Sequence, residues 1–473
     1  MREVETKFDV APDFLMPDLS SFATKSGTVD VDEVPVSSSY HDTAAMDLLR
    51  FRLTLRRRTG GADTGWQLKV PGAGFRTELH WPADGDTPPD GVRTLLAPFL
   101  RGVEPVPAVR LDVQRTRHRL CDAAGTLLAE VAQDDVRATA LEVAVRAAHW
   151  QEAEVELGPA GDAGLQKQLG RALLKAGAYP STSRSKLARA VRGVGAEPAA
   201  SPESAGGVLG AYIDQQIDAI VAGHFAIEQD APESIHQTRV ACRRLRSTLK
   251  TFHAFFDPAA VERLEEELSW YAAVLGEVRD REVLRERLAA TVAELPPELV
   301  VGPVAASIDA TLANELVEQR EAVLLVQAGE RYADLLAALA GLREEPPFTA
   351  AAGRAAHALQ KPLKHAEKKL RSRLSAATAA AGTDADMHSA RKAGKRARYA
   401  AEAVESEKSA FVKQTKALQD LLGDFQDSVV AAGVLLRLAG YARERGEDTF
   451  TYGVLVAAQH STAAAIRAQA KTR

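Results

Sequence analysis

"REVETKF", residues 2–8, sets Glu3, Glu5 and Lys7 in alternation with Val4, Thr6 and Phe8. Successive side chains of a β-strand point to opposite faces. Read as a strand, the segment therefore gathers two carboxylates and an ammonium on one side and leaves a mostly apolar side to pack. Two arrangements accommodate such a charged face. It can meet water, as in a half-solvated antiparallel sheet, or it can line a polar cavity built for a metal ion and an anion. The choice decides the fold of the first half of the chain.

Strand-like runs recur up to about residue 190: "VETKFDV", "LTLRRRT", "GWQLKVP", "FRTELHW", "VQRTRHRL", "LAEVAQDDV", "ALEVAVR" and "EAEVEL". Clusters such as "RTGGADTG" and "PADGDTPPDG" punctuate them as turns. Helical patterns are expected around 92–101 and within 163–191. Alternation groups Arg56 with Arg58, isolates Lys69, joins Arg76 to Glu78, and aligns Arg115, Arg117 and Arg119. It also aligns Glu152, Glu154 and Glu156. Arginine thus recurs on successive strands, while acids gather near the first and last. A sheet curled with these faces inward becomes a barrel with a cationic wall and an acidic patch. Arginine and lysine there clamp phosphates, and glutamate oxygens suit Mg²⁺ or Mn²⁺.

With 473 residues the chain is expected to form two or three domains. A net charge of −5 argues against a wholly basic nucleic-acid binder. Cys121 and Cys242 stand far apart and provide neither a disulfide framework nor a thiolate metal cluster, which fits a reducing cytoplasm. Acids interrupt the N-terminus before a signal-peptide core can form, and no apolar run reaches membrane-spanning length, so a cytoplasmic location is expected.

The stretch 193–207, "GVGAEPAASPESAGG", reads as a linker between a domain at 1–192 and a second at 208–473. Beyond it strand patterns disappear and apolar residues fall at helical spacing over 208–228, 258–290 and 411–440. This half contains a repeat. His236, Arg239, Arg243 and Arg246 have the same spacing as His388, Arg391, Lys395 and Arg398, and each set lies along one helix face. "LGEVRDREVL" (275–284) is echoed by "LGDFQDSVVA" (422–431). A cationic stripe is ordinarily a solvated face. Here the stripe occurs twice, each time led by a histidine, and two such helices side by side repel unless an anion bridges them. The expected ligand is a linear polyanion. Lys361, Lys364, His365, Lys368 and Arg371 add a further basic helix. Nucleic acid fits less well, because Tyr399 is the lone aromatic near the stripes on which a base could stack.

Taken together, Glu3-x-Glu5-x-Lys7, "YHDT" (40–43), "TLRRRTGGADTGWQLKVPG", "RTE", "EVEL" and "SRSKLARA" (183–190) resemble the ordered motifs of CYTH domains, the triphosphate tunnel metalloenzymes. The second half resembles a CHAD domain, a helical duplication with conserved histidines associated with inorganic polyphosphate. The resemblance implies an α+β domain with an eight-stranded antiparallel tunnel, followed by an all-α duplicated bundle. It implies Mg²⁺- or Mn²⁺-dependent hydrolysis of inorganic triphosphate, and polyphosphate binding that could bring the enzyme to polyphosphate granules. Carried over, Glu3, Glu5, Glu154 and Glu156 are metal ligands, and Glu3, Glu5 and Lys7 form the catalytic signature. Lys7, Arg56, Arg58, Lys69, Arg76, Arg115, Arg117 and Lys186 hold phosphate. Glu78, Glu130 and Asp134 are further acidic candidates, and Arg110 is an alternative to Arg115. The two histidine-led stripes are the polyphosphate site. The alternatives are a non-catalytic polyphosphate-binding or targeting protein, or a hydrolase of an organic triphosphate.

Overall fold

The N-terminal segment pairs with both ends of one sheet. In the computed structural model, which describes residues 2–3, 5–23, 27–60, 64–72, 76–82, 85–141, 148–183, 185–192, 201, 203–379, 381–405 and 409–471, the chain divides into two compact units, Met1–Pro198 and Ala199–Arg473. The first unit holds β1 (Arg2–Glu3), β2 (Glu5–Val10), β3 (Thr28–Asp42), β4 (Thr54–Thr59), β5 (Gly65–Pro71), β6 (Arg76–Trp81), β7 (Val106–Cys121), β8 (Leu127–Ala140), β9 (Ala148–Leu157) and the two-residue β10 (Tyr179–Pro180). Their order is β1-β6-β5-β4-β3-β7-β8-β9-β2-β10. Because β1 pairs with β6 and β2 pairs with β9, both antiparallel, the sheet closes through the N-terminal segment. With β1 and β2 taken as one strand and β10 as an appendage, eight antiparallel strands enclose a tunnel, and closure leaves few free edges.

Alternation then sorts the side chains. Phe8, Val131, Ala153 and Val155 turn outward and are buried with Leu169 and Leu173 of a helix over Ala163–Lys175. The opposite faces of the same strands turn inward. Helices over Asp47–Arg50 and Asp90–Leu100 complete the shell. A further helix, Lys186–Arg192, packs Leu187 and Ala190 in one buried cluster with Val36, Val113 and Val136, and this anchoring presents Lys186 to the interior.

One long strand escapes the sequence reading, and two readings fall largely on residues that are not described. The long β3 is absent from the strand-like runs because its valines slip phase: Val29 and Val31 lie on one face, Val34 and Val36 on the other, with Pro35 between. The run "ALEVAVR" falls largely on residues 142–147, outside the described residues. Of the stretch expected to be a linker, residues 193–200 and 202 lie outside the described residues, whereas 205–207 form the first turn of a helix capped by Ser204, whose Oγ accepts from Gly207 N at 3.0 Å.

That helix is α1 of the second unit (Ala205–Glu228), followed by α2 (Ser234–Thr251), α3 (Pro258–Ala293), α4 (Val304–Gln327), α5 (Glu330–Glu344), α6 (Gln360–Thr378), α7 (Asp384–Val404), α8 (Ala410–Glu444) and α9 (Phe450–Lys471). The repeat is visible in space. Helix α2 packs on α3 as α7 packs on α8, and α2 and α7 pack on each other. Helix α2 buries Ile235, Thr238, Cys242, Leu245 and Leu249 at helical spacing, and α7 buries Ala390, Ala393, Gly394, Ala397 and Ala401, small residues that admit close neighbours. Thr383 and Asp386 form a reciprocal cap at the start of α7. No helix among the described residues is long and apolar enough to cross a membrane.

Candidate functional site

A cavity of about 690 Å³ runs inside the tunnel. All eight cations expected to hold phosphate line it: Lys7, Arg56, Arg58, Lys69, Arg76, Arg115, Arg117 and Lys186. Glu5, Glu78, Glu130, Glu154 and Glu156 line it too, as do Tyr40 and His80, which the sequence reading did not assign to a site. Glu3 pairs with Arg76 in the ladder, but its side chain lies outside the described residues. Arg110 lies outside this lining, exposed and joined to Asp112 at 3.0 Å. The charged face of "REVETKF" therefore looks into the cavity at Glu5 and Lys7.

Register divides the acids into two groups. Glu5 stands opposite Glu156, and Glu156 opposite Glu130, which sets three carboxylates in a row across β2, β9 and β8. Cations approach two members of this row: Lys7 is 3.5 Å and Arg76 3.8 Å from Glu5, and Arg115 is 3.9 Å from Glu130. Burial pushes the Glu130 carboxyl above its ordinary range, against the opposing pull of Arg115 and Arg117. Hard carboxylate oxygens side by side in a polar cavity are donors of the kind a divalent metal ion takes.

The second group is Asp134, Glu152 and Glu154, buried and close enough together to suggest a metal site. An ammonium already fills it. Lys186 Nζ lies 2.9 Å from Asp134, 2.7 Å from Glu152 and 2.6 Å from Glu154. Arg115 grips Asp134 with two bonds of 2.8 and 2.7 Å and reaches Glu154 at 2.7 Å, while Lys7 lies 2.7 Å from Glu154. Burial alone would raise the Glu154 carboxyl, but Lys186, Lys7 and Arg115 outweigh it and hold it well below its ordinary range. Lys186 behaves in mirror image: burial opposes its charge, Glu152, Glu154 and Asp134 restore it, and its pKa stands well above the usual lysine value. Asp134 is thus a counter-ion to two phosphate-binding candidates, a role that depends on cross-strand register and cannot be read from alternation.

Other tunnel arginines are braced in the same way. Arg56 donates to Gln67 at 2.6 Å, to Tyr40 at 3.3 Å and to Glu78 at 3.3 Å, and Arg117 binds Asp32 through two bonds of 2.9 and 2.5 Å. Burial would raise the Tyr40 phenol, yet Arg56, Lys186 and Lys69 bring it below its ordinary value. Within "YHDT", Tyr40 serves the cavity and Asp42 serves the fold. The Asp42 carboxylate accepts from Thr43, Leu48 and Leu49 backbone N–H groups at 2.7, 2.9 and 3.0 Å, and burial raises its pKa to about 6.

In the helical unit the two stripes only partly converge. Arg239 and Arg243 from α2 face Arg391 and Lys395 from α7 closely enough to perturb Lys395. The remaining members turn elsewhere: Arg246 donates to Ser269, and Arg398 binds Glu402 at 2.7 Å on its own helix. The echoed motifs on α3 and α8 explain themselves here. Arg239 lies against Gly276, where a Cβ would stand 2.8 Å from its guanidinium, and donates to Asp280 at 2.8 Å. Arg391 lies over Gly423 more loosely, 4.0 Å from where a Cβ would stand, and interacts electrostatically with Asp427. His388 shares a 3.2 Å contact with Gln426, and its counterpart His236 feels Arg279, the residue at the equivalent place. Burial first, then Arg279, depresses the His236 pKa.

Residues 1–190 match the CYTH domain and residues 211–436 the CHAD domain. Two relatives described as uncharacterized, MT2285 and Rv2226 from Mycobacterium tuberculosis strains CDC 1551 / Oshkosh and H37Rv, are each 34% identical over 485 residues, covering 96% of this chain and 92% of their own. Among solved structures, PptA from Streptomyces chartreusis aligns with a TM-score of 0.50 and 24% identity over 57% of this chain and 100% of its own. The CHAD domain from the plant Ricinus communis aligns with a TM-score of 0.46 and 28% identity over 58% of this chain and 95% of its own.

Proposed function

This chain belongs to the family that joins a CYTH domain to a CHAD domain, and from that premise we propose that it hydrolyses inorganic triphosphate in the tunnel with Mg²⁺ or Mn²⁺ and binds polyphosphate on its helical unit. The observation that carries the reading is a tunnel cavity lined by eight cations and by a row of three carboxylates, Glu5, Glu156 and Glu130. A pocket for an anion alone gains nothing from that row, whose like charges repel both the anion and one another. Glu5 and Glu156, with Glu3 and Glu154, would hold the metal, and Glu130 lies beside them. Glu154 contributes only if Lys7 or Lys186 moves from it to phosphate. Bound there, the ion supplies Lewis-acid polarisation of a phosphoryl oxygen.

The chain's own groups do the rest. Lys7, Arg56, Arg58, Lys69, Arg76, Arg115, Arg117 and Lys186 neutralise the phosphate oxygens and hold three linked phosphates in line, so positioning and charge stabilisation supply most of the catalysis. The braces at Asp32, Gln67 and Asp134 keep these cations aimed before substrate arrives. A carboxylate of the acidic row orients the attacking water. The helical unit would hold longer chains between α2 and α7 and concentrate the protein on polyphosphate deposits.

Phosphate release from tripolyphosphate with Mg²⁺ or Mn²⁺ tests the tunnel reading. Metal-dependent release is expected, with Glu5→Ala reducing kcat on the order of 10²-fold or more. Release that is absent with either metal, or unchanged by the substitution, rejects it.

A further inference from the structure

Trp150, Glu152, Glu154 and Glu156 alternate along β9 and so share one face of it. Their places differ in depth. Glu154 and Glu156 line the cavity, whereas Trp150 and Glu152 lie outside that lining and are only 7% and 4% exposed. Glu152 has an N–H donor at each of its oxygens. Its Oε1 lies 2.7 Å from the Lys186 ammonium, and its Oε2 accepts from the Trp150 indole Nε1 at 2.6 Å. Arg189, three residues after Lys186 on the same helix, braces the pair. Its guanidinium lies over the Trp150 ring, 5.0 Å from the centroid, and binds Asp9 of β2 at 2.5 Å. It stands 3.9 Å from Glu152 Oε2, and Asp9 is the ladder partner of Glu152. Leu187 and Ala190 pack in the same buried cluster as Trp150.

On the reading that the tunnel holds tripolyphosphate, we propose that Trp150 and Glu152 are positioning residues that aim the Lys186 ammonium at the substrate. Of the three carboxylates around Lys186, Glu154 faces the cavity and also serves Lys7 and Arg115, so it gives up Lys186 when phosphate arrives. Asp134 is committed to Arg115 through two bonds. Glu152 keeps Lys186, because Trp150 fixes its second oxygen and Arg189 is taken by Asp9. Only a carboxylate meets both of its donors. A side-chain amide at this position offers one carbonyl oxygen and one amino group, so either the indole N–H or the ammonium would face another donor. A buried donor left unmet is costly, and the side chains shift to avoid it. The indole N–H thus acts on phosphate through Glu152 and Lys186, without touching the substrate.

Calorimetric titration of the full chain with tripolyphosphate tests this, carried out without divalent metal so that binding is read apart from turnover. Trp150→Phe keeps an aromatic ring and removes the N–H, and should raise Kd roughly tenfold. Glu152→Gln should raise it further. The double variant separates positioning from packing. With the indole N–H gone, the amide is free to turn its carbonyl to Lys186, so the double variant should bind more tightly than Glu152→Gln alone. Two residues that merely pack would show losses that add. A double variant that binds no more tightly than Glu152→Gln overturns the proposal, as do single variants with the wild-type Kd. Should Glu152→Gln fail to fold, Trp150→Phe decides alone: a raised Kd in folded protein supports the proposal, and an unchanged one overturns it. A wild type that does not bind tripolyphosphate rejects the underlying tunnel reading instead.

Discussion

Lys186 in the tunnel and Lys395 between α2 and α7 are both withdrawn from solvent, yet their pKa values move in opposite directions. Burial opposes the charge of each. In the tunnel, Glu152, Glu154 and Asp134 surround the ammonium at 2.6–2.9 Å and hold it charged. In the helical unit, burial and the charges of Arg243, Arg391 and Arg239 favour the neutral amine. Lys186 is balanced by its own carboxylates, so its ammonium is formed and held in place without a ligand, an arrangement of preorganised charge. In the helical cluster burial and like charges outweigh the Asp427 carboxylate. Two cationic clusters in one chain thus have opposite electrostatic surroundings.

The sharpest way to break this comparison is Lys186→Met. Three buried carboxylates would lose their shared counter-ion, so the substitution should destabilise the first unit by about 3–5 kcal/mol at neutral pH in denaturant unfolding, besides impairing tripolyphosphate hydrolysis. Because the partner carboxyls of Asp134 and Glu154 are held below their ordinary values, the wild type's advantage is present above roughly pH 4 and is lost as pH falls and these groups protonate. An unaltered midpoint would mean that the trio is not held by the lysine.

Lys395→Met should act in the reverse sense on the free protein. The wild-type folded state binds fewer protons at this position than the unfolded state between about 6 and the ordinary lysine value of 10.5. Wild-type stability relative to the variant should therefore fall as pH is lowered across that interval, by up to about 1.4 kcal/mol per pH unit, and level off below it. A pH-independent difference would place an ordinary ammonium at the site. The smallest effect is expected from Arg110→Ala, on β7 as Arg115 is but exposed and outside the cavity lining. Hydrolysis should be unchanged and stability altered by less than about 0.5 kcal/mol; a large loss of activity would reassign the strand's inner face.

Much of the tunnel was legible because a strand has a strict period of two. Once Lys7 faces inward, Glu5 must as well, and the same logic selects Arg56 with Arg58 and Arg115 with Arg117. Helical periodicity likewise marked both stripes. It could not tell which members would meet, because that depends on where the axes of α2 and α7 approach. Arg239, Arg243, Arg391 and Lys395 lie near that approach, whereas Arg246 finds Ser269 and Arg398 finds Glu402. The strand β3 escaped notice because its apolar residues change face midway, and the functional place of Tyr40 depends on the strand that carries it.

By itself the sequence determined that two differently patterned units exist, which residues share a strand or helix face, and that cations on those faces outnumber what an ordinary wet surface would collect. These are properties of local periodicity and composition. Only the tertiary structure decided which acids stand opposite which cations. Glu5, Glu156 and Glu130 form an open row while Asp134, Glu152 and Glu154 close around Lys186, although all six are carboxylates on inward faces. The difference arises from register and from the helix that delivers Lys186 from a distant part of the chain. Charge depends on distance in space, and distance between strands is not written in the order of residues along them.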